Sequence, residues 1–318
     1  MQRQIRISVK RHLSVINSAN VRFDLFTKAT PIFRYWCILF SLLLSCWYVA
    51  GQSTLHSLPD SVTMNRDAGR GNFLFLMLRL EGGEPLPFIF DSGAPYTCVD
   101  KSFASRLGTC FGVYPFEMLG SKQKAGVYAV PKLDLGIVPL IIDTDSCVVS
   151  FDFTWLSKEA GRPVMGILGM DCIKNYCVQL DFRSSELRFL DSHHSTMPNS
   201  GIIIPLTLDD NRPRIRKPGF IGNGISELVI DTGCCVDGLV QKKLFQQAVK
   251  QHQLAKRDDD AIIPRCIWEG EVYTNLTVGV VPNRVENAIG LRFLARYLVT
   301  LDFPNQKLYL TKKKAGPP

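Results

Sequence analysis

The chain has 318 residues, 46% of them apolar and 21% charged, which allows one large or two modest domains with a real core and excludes disorder as the main state. The formal net charge of +8 is concentrated at one end. Residues 1–51 carry seven basic side chains against the single acid Asp24, leaving 30 basic and 28 acidic side chains in the other 267 residues, so the near-neutral body excludes a nucleic-acid-binding surface.

In chain order the first feature is that basic leader, residues 1–51, which ends in an apolar run over residues 35–50 (YWCILFSLLLSCWYVA). As a helix rising 1.5 Å per residue, these 16 residues span about 24 Å, short of the roughly 30 Å hydrocarbon core. The run fits a signal peptide, with Val49 and Gly51 framing a cleavage site before Gln52. It equally fits a short transmembrane anchor with its basic side in the cytoplasm, and the long leader favours membrane attachment through residues 35–50. Both readings export the body to the periplasm or the extracellular space. Eight of the ten cysteines lie in that body, where an oxidising compartment permits disulfides whose pairing the spacing does not fix. No Cys-x-x-Cys pair or histidine cluster has zinc-ligand spacing, so neither a metal nor another cofactor is expected.

A first domain is expected over residues 66–192. In it the apolar strand Phe88, Ile89, Phe90 runs into an acidic turn, Asp91, Ser92, Gly93. Residues 116–130, with Gly120 and Gly126 around a polar tip, read as a hairpin that could fold over a substrate. Ile167, Leu168 and Gly169 then lead into a short helix and a second hairpin, whose first strand closes at Asp181 and Phe182. Residues 193–201, with Pro198, Asn199 and Ser200, read as a linker.

The second domain, expected over residues 200–312, repeats this plan. Leu228, Val229 and Ile230 run into Asp231, Thr232 and Gly233. Residues 267–273 form the counterpart hairpin, with Gly270 at its turn and Trp268 available either as core or as an apolar substrate contact. Ala288, Ile289 and Gly290 precede a short helix, and Val299, Leu301 and Phe303 alternate before the turn Pro304, Asn305, Gln306. A constant offset of 121 aligns Gly169 with Gly290, Tyr176 with Tyr297, Leu180 with Leu301, Asp181 with Asp302, Phe182 with Phe303 and Leu187 with Leu308. The acidic turns lie 140 apart, so the second copy is 19 residues shorter between its turn and its glycine.

A lone Asp-Ser-Gly or Asp-Thr-Gly is a common turn. Two such triplets, each after three apolar β-formers and each followed by an apolar-apolar-Gly segment, resemble the aspartic proteases, most closely the retropepsin-like family in the form of its exported bacterial members. The resemblance covers residues 66 to 312 and implies a mainly β, bilobal, pseudo-symmetric fold of closed β-barrel lobes, a homodimer fused into one monomeric chain. It implies an aspartic endopeptidase, a hydrolase acting on polypeptide substrate, with Asp91 and Asp231 as the catalytic pair and Ser92, Gly93, Thr232 and Gly233 supporting the active loops. Two carboxyl groups within hydrogen-bonding distance share one proton, so that one activates water while the other polarises the scissile carbonyl. Ala94 and Cys234 stand where pepsin-like relatives often carry Ser or Thr, which implies a pair that titrates higher than in pepsins. The alternative is a catalytically inactive peptide-binding protein that retains the fold.

Overall fold

The computed structural model describes residues 58–59, 61–118, 121–143, 147–191, 201–221, 225–257 and 260–312. The apolar run and the linker lie outside the described residues, apart from Gly201. Among the described residues no helix is long and apolar enough to cross a membrane, so none of them supports the expected membrane attachment, whose segment, residues 35–50, lies outside them.

The chain is built from short strands and few helices, arranged in three sheets of nine, eight and six strands. Period-two patterning explains the strands. In Phe75–Leu80 the residues Leu76, Leu78 and Leu80 enter the main core, while Phe75 on the opposite face enters a second apolar cluster. Pro85–Phe90 divides in the same way, with Phe88 and Phe90 on the first side and Ile89 on the second. Covered on both faces, these strands read as nearly continuous apolar runs. All nine strands of one sheet come from residues 75–168, and all eight of another from residues 207–290.

The six-stranded sheet joins the two copies of the repeat. The hairpin Cys177–Asp181 with Glu186–Leu190 lies beside the hairpin Tyr297–Asp302 with Lys307–Lys312, through antiparallel pairing of their first strands. The register places Gln179 opposite Thr300, two residues related by the 121-residue offset. A pair of equivalent positions facing each other is what a local two-fold axis through the sheet requires. Gln179 Nε2 donates to Thr300 Oγ1 across it at 3.1 Å.

One expectation fails at this level: no sheet closes into a barrel. The nine-stranded sheet ends on Cys110–Met118 and Val138–Pro139, and the eight-stranded sheet on Thr207–Asp209 and Ala255–Arg257. These terminal strands do not pair with one another, so each sheet keeps two edges. The short helices after the repeated glycines are present as Met170–Ile173 and Leu291–Leu294. Phe293 on the latter is ringed by Phe220, Trp268, Tyr273 and Tyr297, with ring centroids 4.9–6.2 Å away.

Candidate functional site

The triplets sit at the ends of interior strands. Pro85–Phe90 is flanked by the antiparallel Phe75–Leu80 and the parallel Gly166–Leu168, with Leu168 opposite Phe90. Ile225–Asp231 is flanked by the antiparallel Arg212–Pro218 and the parallel Ala288–Gly290, with Ile289 opposite Ile230. The apolar-apolar-Gly segments therefore lie alongside the strands that deliver the carboxyl groups. Two further bonds repeat the symmetry: Met170 N donates to Ala94 O at 2.9 Å, and Leu291 N to Cys234 O at 2.7 Å. Gly169 and Gly290 give room for this, since a Cβ on either would strike the backbone of Tyr96 or Val236.

The two loops are locked to each other by Ser92 and Thr232, both fully buried. Ser92 Oγ donates to Ile230 O (2.7 Å) and accepts from Thr232 N (3.1 Å). Thr232 Oγ1 donates to Phe90 O (2.8 Å) and accepts from Ser92 N (2.9 Å). Four hydrogen bonds between segments 140 residues apart fix the relative position of the turns and satisfy every polar atom involved.

Asp91 and Asp231 meet within one chain, close enough for each carboxyl group to act on the other. Each carboxyl group packs on the glycine of the opposite triplet. A Cβ at Gly93 would lie 2.6 Å and 2.8 Å from the two Asp231 oxygens, and one at Gly233 would collide with the Asp91 carboxyl. The glycines are thus required by close approach, not by an unusual backbone angle. Asp91 accepts from Gly93 N (2.8 Å) and Ala94 N (3.1 Å), whereas Asp231 accepts from Gly233 N alone (2.9 Å).

Both residues keep some surface open, but removal of water by the surrounding protein raises both carboxyl groups. At Asp91 the two backbone N–H bonds oppose that rise. Asp231 is pushed to about 8, by burial first and by the Asp91 charge second. The pair therefore holds one proton between them at neutral pH, and the extra N–H bond on Asp91 favours the charged form there over Asp231. The residues after the two glycines donate nothing to the pair: Ala94 has no donor, and the Cys234 thiol points to Val236 O at 3.9 Å.

The hairpin expected over residues 116–130 is formed by Cys110–Met118 and Ser121–Tyr128. Its Tyr114 and Phe116 pack on the same apolar cluster as Ala94 and Cys235, which directly follow Gly93 and Cys234 at the ends of the two acidic turns. The counterpart hairpin, Asp260–Trp268 with Glu271–Val281, turns through Glu269 and Gly270, both at positive φ (50° and 77°), as a two-residue hairpin loop demands. Trp268 is core: it is 1% exposed and its Nε1 donates to Pro218 O at 3.0 Å. A substrate contact by its ring is thereby excluded.

Sequence reasoning missed several residues around the pair. Buried Asp171 holds Thr97 through its N–H (2.9 Å) and hydroxyl (2.7 Å), and in the second copy buried Asp237, 140 residues after Thr97, pairs with Arg296 at 2.9 Å. The partners are far apart in sequence, and the 121-residue offset carries Asp171 to Arg292 and not to Arg296, so no sequence signal pairs them. Arg212 is a third omission. Its charge acts on both Asp91 and Asp231, and its Nη1 donates to Glu286 Oε2 at 2.9 Å. Among the described residues no group of three or more His, Cys, Asp or Glu side chains could hold a metal ion, and the eight body cysteines are all free thiols.

No family model matches the chain, and no curated protein matches it. Among solved structures it is similar to basic 7S globulin from soybean, at 12% identity, with 80% of this chain and 94% of that chain covered and a TM-score of 0.50. This similar structure is of a globulin, so the comparisons give no support to the expected peptide-hydrolysing enzyme or to the protease and hydrolase assignments. What the likeness establishes is the fold alone, a mainly β architecture of several open sheets that loosely matches a bilobal pepsin-like fold.

Proposed function

We propose that the protein binds an extended peptide segment without hydrolysing it, in the site formed by the Asp91 and Asp231 carboxyl groups and the hairpin beside them. The observation that carries this reading is the asymmetric pair: Asp91 accepts two backbone N–H bonds and Asp231 one, which favours the shared proton on Asp231. A neutral carboxyl donates and a carboxylate accepts, which matches the alternating C=O and N–H groups of an extended backbone. The two backbone N–H bonds on Asp91 lower its basicity, which favours an acceptor role over proton abstraction from water. The strand Cys110–Met118 supplies a second element. It is the outermost strand of its sheet, so one row of backbone donors and acceptors is free for strand addition. A globulin of the same fold supports a non-hydrolytic use of this architecture.

The retropepsin-like branch within the superfamily belongs to the same proposal, supported by the Gly166-to-Asp171 motif. So do the lobes over residues 66–192 and 200–312 and export of the body behind the leader. The test is incubation of the intact protein with a defined peptide library, followed by mass spectrometry of retained and released material. A subset of peptides retained at intact mass, with retention weakened by Asp91→Asn and Asp231→Asn, is the expected result. Fragments whose appearance depends on both aspartates overturn the reading, as does a failure to retain any peptide.

A further inference from the structure

Arg212 opens the strand Arg212–Pro218, immediately after a turn through Asp210 and Asn211, both at positive φ (49° and 57°). That turn is fastened to the first half of the chain. Asn211 Nδ2 donates to Pro95 O at 3.4 Å, four residues beyond Asp91, and Lys174 Nζ donates to Asn211 Oδ1 at 3.1 Å. The next residue, Arg212, is thus carried to the edge of the carboxyl pair, consistent with the reach of its charge to both aspartates.

The guanidinium is held but not used up. Among the described residues it makes one hydrogen bond, to Glu286, and its side chain keeps 34% of its surface exposed. Its Nε is shielded from solvent and has no partner. Glu286 cannot satisfy it further, because its other oxygen is taken by Arg214, through Nε at 2.9 Å and Nη2 at 2.7 Å. Arg214 is itself buried and closed by Asp209, through both its carbonyl (2.5 Å) and its carboxylate (2.9 Å). Two guanidinium groups therefore share one carboxylate, and only Arg212 has unspent donors. With Nε enclosed, the exposed end of the guanidinium, whose Nη2 makes no hydrogen bond among the described residues, is the part that a carboxylate can reach.

On the peptide-binding reading, on which this step rests, we propose that Arg212 is a specificity-determining residue that reads a carboxylate of the bound peptide next to the Asp91–Asp231 pair. The carboxylate comes from an acidic side chain or from the peptide's C-terminus. The pair cannot select for such a group itself, since it carries negative charge of its own. Arg212 overcomes that repulsion at one position and leaves it in force at the others, so the preference is positional.

The test uses the intact protein and fluorescence anisotropy with a retained peptide. Glu and Gln are exchanged at each position in turn, and the C-terminus is either free or amidated. One position, or the free C-terminus, is expected to bind roughly tenfold or more tightly in its charged form, the scale of a charge-assisted hydrogen bond. In Arg212→Gln that ratio is expected to collapse toward one, and in Arg212→Lys to persist at a reduced value, with thermal unfolding confirming that each variant is folded. Because the readout is a ratio between matched peptides on the same protein, a general loss of affinity does not mimic it. A ratio unchanged in Arg212→Gln, or equal binding of charged and neutral peptides by wild type, overturns this inference and leaves peptide binding intact. Absence of binding by every peptide overturns both.

Discussion

Replacing Thr232 by Val keeps the shape of the side chain and removes its hydroxyl from the centre of the junction. Two hydrogen bonds go, and two buried backbone groups, Ser92 N and Phe90 O, lose the partners that they have at 2.9 Å and 2.8 Å. Neither can turn to water, because Ser92 and Thr232 are fully enclosed. Each orphaned buried group costs about 1–3 kcal/mol, so Thr232→Val is expected to destabilise by about 2–6 kcal/mol. Urea denaturation followed by far-ultraviolet circular dichroism measures it. With a slope of about 3 kcal/mol per molar, the midpoint falls by about 1–2 M. Thr232→Ser, which keeps the oxygen, is expected to lose no more than about 1.5 kcal/mol, from its missing methyl group. Ser92→Ala with Thr232→Val should cost clearly less than the sum of the two single changes, since both remove parts of one network. A loss below about 0.5 kcal/mol for Thr232→Val, or full additivity with Ser92→Ala, would refute the claim that these four bonds hold the acidic turns together.

Three further outcomes are expected. Gly93→Ala places a methyl group against the Asp231 carboxyl and should lower thermal stability by several degrees and abolish peptide retention, whereas Gly270→Ala meets no neighbouring atom and should show only the smaller cost of its positive φ. Asp231 rises from an ordinary 3.8 to about 8 in the folded protein, so the native state holds a proton that the unfolded chain releases. Its contribution is full below the unfolded pKa and is lost as pH rises through about 8; the urea midpoint should fall between pH 5 and 8 more steeply in wild type than in Asp231→Asn, and parallel slopes would remove the assignment. Alkylation of the native protein, mapped by mass spectrometry, should mark exposed Cys110 well before Cys98, Cys172 and Cys234, whose thiols burial pushes far up; equal labelling would show that those sites are open.

The repeat was legible because it is local. Strand alternation, the glycine before a short helix and the turn chemistry after Asp302 are each written within about a dozen residues, and the 121-residue offset relates the two copies without any knowledge of their packing. The same offset already contained the Gln179–Thr300 pairing, although the choice of the six-stranded sheet as the meeting place belongs to the fold. Barrel closure was not legible, since it depends on whether terminal strands reach each other, and here they do not. Trp268 illustrates a different limit: a hairpin-tip aromatic reads alike in either role until the fold sends the ring toward Phe293.

What the sequence by itself determined is the inventory: two acidic turns, their glycines, their hydroxyl neighbours and the missing donors at Ala94 and Cys234. Tertiary structure decided the rest of the site. It set the carboxyl groups against each other's glycines, gave Asp91 one more backbone N–H bond than Asp231, and brought Arg212 to the pair while Glu286, 74 residues away, engaged one side of its guanidinium. The physical reason is that desolvation, proton sharing and ion pairing depend on distances between atoms of segments far apart in the chain, and such distances exist only once the core has brought those segments together.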